Sequence, residues 1–126
     1  MENEAKKELE EKIYDIIHER GGNIRAYKGL MFDIWKYLRH MLGFMTSNLV
    51  MERVLRAASE KFPDFNIDMT KDGPNIEDIN DSIQNIEALK FCINYAIDIM
   101  EKLAGDVLLK GLLRRLNHKK IPDEIL

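Results

Sequence analysis

The chain has 126 residues, which is enough for one domain with a hydrophobic core of its own, so we expect residues 1–126 to fold as a single helical domain. An apolar fraction of 45% and a charged fraction of 33% are typical of a soluble helical protein. The net charge of -3 argues against nucleic acid as a partner, because nucleic-acid binding draws its affinity from an excess of Lys and Arg facing phosphates.

The single cysteine and the N-terminal residues indicate a cytoplasmic protein. Cys92 lies in an apolar stretch and cannot form an internal disulfide, which suits a reducing compartment. The first residues, MENEAKKELEEK, are highly charged and do not resemble a secretory leader. No apolar run approaches the roughly 18 residues of a transmembrane helix, so we expect no transmembrane segment.

Two helices are predicted first. Residues 3–20 are rich in Glu and Lys around a narrow apolar line, which predicts an amphipathic helix lying on a larger body. Gly21 and Gly22 can end that helix, and Asn23 can cap the next one. Apolar residues from about Ile24 to Leu42 or beyond cover a wide face, which predicts a second helix buried from two sides.

Residues 43–48, GFMTSN, predict a break before a third helix that starts at Leu49 and ends at Pro63. Phe65, Ile67 and Met69 then alternate with polar residues. Because one short strand cannot form a sheet, we expect an apolar loop lying across the bundle, followed by a turn at residues 71–74.

The longest helical period runs from Asn75, after Pro74, to about Asn117. A straight helix of about 43 residues would reach roughly 64 Å, whereas a compact chain of this size has a radius of gyration of about 14 Å. We therefore expect a break near Gly105, giving a long helix at about 75–104 and a short final helix. The predicted fold is an all-α bundle of four or five helices.

An isoleucine stripe marks the first half of the long helix. Its members recur at alternate steps of three and four among polar residues, and they are Ile76, Ile79, Ile83 and Ile86. A thin stripe of this kind on a helix too long for its domain predicts contact with a second copy of the chain. The alternative is a monomer in which the N-terminal helix covers the stripe.

The motifs of known catalytic and metal sites are absent from the sequence. Carboxylate-bridged metal sites need paired Glu-x-x-His motifs, and this chain has only one imperfect half, from Asp15 to His18. One cysteine and three scattered histidines give no close ligand pair for zinc. No phosphate-binding glycine loop or nucleophile elbow is present, so we expect no enzyme, no metal and no cofactor.

A short string resembles the motif of histidine-containing phosphotransfer domains, which are helical bundles with His-x-Leu-Lys-Gly on a surface helix. Lys28 and Gly29 match that motif, but Arg25 stands where the phosphorylated histidine belongs. His40 lies beside Lys36 and Arg39 and is the remaining candidate, although a polar residue near a helix end is the commoner explanation. Phosphotransfer is the weakest of the functions considered.

A basic run near the C-terminus contrasts with the acidic whole. It consists of Lys110, Arg114, Arg115, His118, Lys119 and Lys120. Leucines between these residues make the run amphipathic, which is typical of a surface that docks to an acidic protein partner or to an anionic surface. The alternative is that cations gather in the last turns of a helix because they complement its dipole.

The aromatic and methionine side chains of the second helix suggest a different function. They could line a small-molecule or cofactor site inside the bundle, with Trp35 and His40 as the candidate residues. Core filling is the commoner role for such side chains.

We interpret the chain as a non-enzymatic helical interaction or regulatory module that forms a homodimer, and the alternative is a small-molecule sensor. An apolar helix ending in ASEKFPDF, a short loop and a long closing helix form a layout similar to that of helical domains beside microbial signalling modules. That similarity favours a signalling or regulatory context.

Overall fold

The computed structural model describes residues 3–125, with side chains described as far as His118. Over these residues the chain is an all-α bundle of five helices with one short strand pairing, which confirms the predicted fold class. The helices are α1 Glu4–Glu19, α2 Ile24–Leu42, α3 Phe44–Lys61, α4 Ile83–Ala104 and α5 Asp106–Ile125.

The five helices run alternately up and down. Asn3, just before α1, donates from Nδ2 to Glu101 near the end of α4 over 2.5 Å. Near the end of α2, the Tyr37 hydroxyl donates to the carbonyl oxygen of Leu108 at the start of α5 over 2.6 Å. One end of the bundle, the first end, therefore gathers the starts of α1, α3 and α5 and the ends of α2 and α4. Since α5 packs along α1 and both begin there, these two helices run in the same direction.

The turn between α2 and α3 is a single residue. Gly43 has φ 84° and ψ 170°, and the positive φ is a conformation that glycine adopts without the cost a Cβ would bring. The backbone N–H of Ser47 already donates to the Gly43 carbonyl, so α3 begins at Phe44. The break predicted over residues 43–48 is thus confined to Gly43.

The long helix begins later than predicted. The side chain of Ser82 accepts a hydrogen bond from the backbone N–H of Asn85 over 3.2 Å, and α4 starts at Ile83 rather than near Asn75. Residues 75–82 instead form a loop held on α2, because Lys28 Nζ donates to the carbonyl oxygens of Glu77 and Ile79 over 2.7 and 2.8 Å.

The predicted break near Gly105 is present. Gly105 has φ 56° and ψ -135°, a conformation nearly restricted to glycine, and it separates α4 from α5. The final helix has 20 residues, so the expectation of a short one was wrong. Gly105 divides the predicted long segment into two helices of 22 and 20 residues.

The segment between α3 and α4 crosses the bundle as an apolar loop. Phe65 is 1% exposed. Met69–Thr70 pairs antiparallel with Gly73–Pro74, forming β1 and β2 of two residues each. A Cβ on Gly73 would lie 3.2 Å from the rings of Phe32 and Trp35, so the turn packs directly on α2.

Candidate interaction surface

The four isoleucines predicted to form a dimer stripe do not lie together on one exposed face. Ile76 is 0% exposed in the core of its own chain, and Ile79 and Ile86 are half-buried against that core. Only Ile83, at the first position of α4, is exposed, at 80%. The stripe fails as a single surface because Ile76 and Ile79 belong to the loop before α4.

Trp35 and His40, the candidate residues for an interior ligand site, have separate environments. Trp35 is 3% exposed, and its Nε1 donates to Asn48 Oδ1 over 3.2 Å. The guanidinium of Arg39 lies 5.3 Å from the centre of its ring. His40 is exposed to solvent. A surface cleft of about 620 Å³ lies between α3 and residues 66–69, and neither candidate lines it.

The predicted basic patch lies on α5. Lys110, Arg114 and His118 are exposed and Arg115 is half-buried, whereas the side chains of Lys119 and Lys120 lie outside the described residues. The helix continues to Ile125, ten residues beyond Arg115. A helix dipole acts within the last turn, so it does not account for cations in the middle of α5.

Sequence reasoning missed an exposed apolar surface at the first end of the bundle. Eight large apolar side chains are exposed among the described residues, and six of them lie at this one end. These six, which we call the apolar end, are Met41 (45% exposed), Phe44 (46%), Met45 (76%), Leu49 (64%), Leu103 (54%) and Val107 (69%).

Two glycine turns assemble the apolar end. Gly43 reverses the chain between Met41 and Met45, and Gly105 reverses it between Leu103 and Val107. The helices α3 and α4 pack antiparallel, since the rings of Phe62 and Phe91 meet edge to face with centres 6.1 Å apart. That register brings Leu49, near the start of α3, to the level of Leu103. The signal in the sequence was apolar residues directly flanking two turn glycines.

Charged side chains border the apolar end. The guanidinium of Arg39 lies 5.1 Å from the centre of the Phe44 ring, and it makes no ion pair with a carboxylate among the described residues. Lys102 and Lys110 are exposed cations on the same border, and Asp106 is an exposed anion there. Arg39 therefore offers a cation to a partner that brings a carboxylate.

Burial raises the pKa of two side chains in the interior, Cys92 and Tyr37. Burial raises the pKa of the Cys92 thiol to about 12, so the thiolate that a nucleophile or metal ligand needs is scarce at neutral pH. Burial also raises the pKa of the Tyr37 hydroxyl, although the nearby Arg114 and Arg115 lower it. Tyr37 is thus a neutral hydrogen-bond donor that fixes α5 to α2.

Over the described residues, no three His, Cys, Asp or Glu side chains come together as metal ligands would. None of the helices described has the length and apolarity needed to cross a bilayer. Comparison of the chain with family models, with curated proteins and with solved structures gave no match.

Proposed function

We propose that this protein is a non-enzymatic helical interaction module, with a regulatory role, that works as a homodimer and binds another protein through its apolar end. The observation that carries the proposal is the placement of six of the eight exposed large apolar side chains at one end of the bundle. Scattered apolar exposure is ordinary on a protein surface, but a contiguous patch marks an interaction site.

The partner chemistry follows from the composition of this surface. Methionine side chains adapt to different apolar shapes, and Met41 and Met45 are two of the six residues. Amphipathic helices bind such surfaces with apolar residues spaced three and four apart. Arg39 at the border favours a helix that also carries a carboxylate. The occupant proposed is an acidic amphipathic helix of another protein.

The size of the surface is consistent with that role. Specific protein interfaces bury about 800 Å² on each partner, with a few large apolar side chains at the centre. Six side chains exposed by 45% to 76% provide such a centre, and Arg39 and Lys110 lie at its rim.

Photo-crosslinking in the source cells tests the proposal. A photoreactive amino acid at position 45 should form a covalent adduct with a different protein, because Met45 is 76% exposed within the apolar end. The matched control is position 83, because Ile83 is 80% exposed but lies at the opposite end of the bundle. No adduct at position 45, the same adduct at both positions, or an adduct only with a second copy of the chain would each contradict the proposal.

A further inference from the structure

The outer faces of α1 and α5 carry opposite charges. Six acidic side chains of α1 are exposed, and four of them, Glu4, Glu8, Glu11 and Asp15, recur at steps of four, three and four; the other two are Glu10 and Glu19. On α5, the exposed Lys110, Arg114 and His118 form a second line at steps of four. The helices α1 and α5 pack against each other, so the two lines lie on neighbouring helices, and we call the two lines together the two-charge face.

The two lines begin at similar positions in their helices. Both helices begin at the first end and run in the same direction, as the contact of Asn3 with Glu101 requires. Glu8 and Lys110 are each the fifth residue of their helix, and Glu11 and Arg114 are the eighth and the ninth. Lys110, Arg114 and Arg115 nevertheless make no ion pair with a carboxylate among the described residues. The ion pairs that α1 does make run from Lys6 to Asp98 and Glu101 of α4.

A face of this kind is complementary to itself. A two-fold axis running parallel to α1 and α5, between them, lays α1 of one copy on α5 of the other and repeats the same contact on the opposite side. Glu8 and Glu11 of each copy then face Lys110 and Arg114 of the other. A perpendicular in-plane axis would instead place acidic residues against acidic residues, so charge selects the first arrangement.

An exposed aromatic side chain lies on the same helix as the acidic line. Tyr14 is 72% exposed on α1, and its ring stacks on that of His18 with centres 6.4 Å apart and an interplanar angle of 4°. Tyrosine is enriched among the residues that dominate binding energy at interfaces. Stacking on His18 restrains the Tyr14 ring before binding, which reduces the entropy lost on association.

We propose that the two-charge face is the homodimer contact, with Glu8, Glu11, Lys110 and Arg114 pairing across a two-fold axis and Tyr14 at its centre. This inference rests on the dimer part of the proposed function and names the surface that forms the dimer. It replaces the isoleucine stripe as the site of self-contact. The Met41, Phe44, Met45 and Leu49 side chains of the apolar end, on α2 and α3, lie outside this contact.

A charge-swap experiment on the full chain tests the inference by sedimentation equilibrium at micromolar concentration. Reversal of the acidic line (Glu8→Lys with Glu11→Lys) should weaken the dimer at least tenfold, and so should reversal of the basic line (Lys110→Glu with Arg114→Glu). Combining all four substitutions should restore dimerisation, because complementarity returns with the signs exchanged. The matched control, Arg53→Glu with Glu60→Lys on the exposed face of α3, should leave the dimer constant unchanged.

The possible results separate this inference from the proposal it deepens. A wild-type dimer that survives both reversals would overturn the two-charge face while leaving a homodimer in place. A wild-type chain that is monomeric throughout would overturn both the inference and the dimer part of the proposed function. Failure of the four-fold variant to dimerise, with a helical circular dichroism spectrum like that of wild type, would also overturn the inference. Binding through the apolar end is judged separately by crosslinking at position 45.

Discussion

At the scale of single residues, Tyr37 connects two helices that are distant in sequence. Its hydroxyl donates to the Leu108 carbonyl over 2.6 Å within the protein interior. A Cβ added at Gly111 would overlap that hydroxyl, so a glycine at this position of α5 allows the close approach. Sequence reasoning placed Tyr37 on an aromatic face but could not identify this contact, because the two residues it joins are 71 positions apart.

Removal of the Tyr37 hydroxyl should destabilise the fold. Tyr37→Phe should lower the free energy of unfolding by about 1 kcal/mol, since a net hydrogen bond contributes about that much and the ring remains in place. Urea denaturation followed by circular dichroism measures the difference. The matched control is Tyr95→Phe, because Tyr95 is half-buried beside Phe91 and its hydroxyl makes no hydrogen bond within the described residues. Equal stability of wild type and Tyr37→Phe would contradict the assigned contact.

At the scale of elements, local signals predicted the limits of α2 but not the starts of α3 and α4 or the length of α5. The predicted start and end of α2 lie where the structure has them, because Asn23 caps the start of the helix and Gly43 ends it, and both signals are local in sequence. The start of α4 was wrong, because Pro74 and Asn75 look like a helix start whereas Ser82 is the residue that caps. Lys28 on α2 holds the intervening carbonyl groups, and a contact 49 or 51 residues away leaves no local signal.

A pair of aspartate substitutions tests where α4 begins. Ile76→Asp should unfold the protein or cost more than about 4 kcal/mol, because it places a carboxylate in the core at a side chain that is 0% exposed. Ile83→Asp should change stability by less than about 0.5 kcal/mol, since Ile83 is 80% exposed at the first helical position. Similar effects of both substitutions on thermal unfolding would contradict a helix start at Ile83 and would favour the continuous helix from Asn75 that the sequence predicted.

At the scale of the whole molecule, the structure has two candidate interaction surfaces, the apolar end and the two-charge face. Because the helices alternate in direction, the apolar end lies at the first end of the bundle, where α2 and α4 end and α3 and α5 begin. The two-charge face runs along the neighbouring helices α1 and α5. Hydrophobic periodicity identified the all-α bundle, since each helix buries one stripe. It could not identify the apolar end, because side chains of different helices meet there only after the bundle has formed.

Methionine oxidation reports whether a partner covers the apolar end in cells. In the purified protein, dilute peroxide should convert Met45 to its sulfoxide rapidly and Met41 more slowly, while Met31, Met51 and Met100, each 0% exposed, should stay reduced. In intact source cells, Met45 should be oxidised at least severalfold more slowly, as quantified by peptide mass spectrometry against an exposed reference methionine in an unrelated protein. Equal oxidation of Met45 in cells and in the purified protein would mean that nothing covers the apolar end, and would contradict the proposed function.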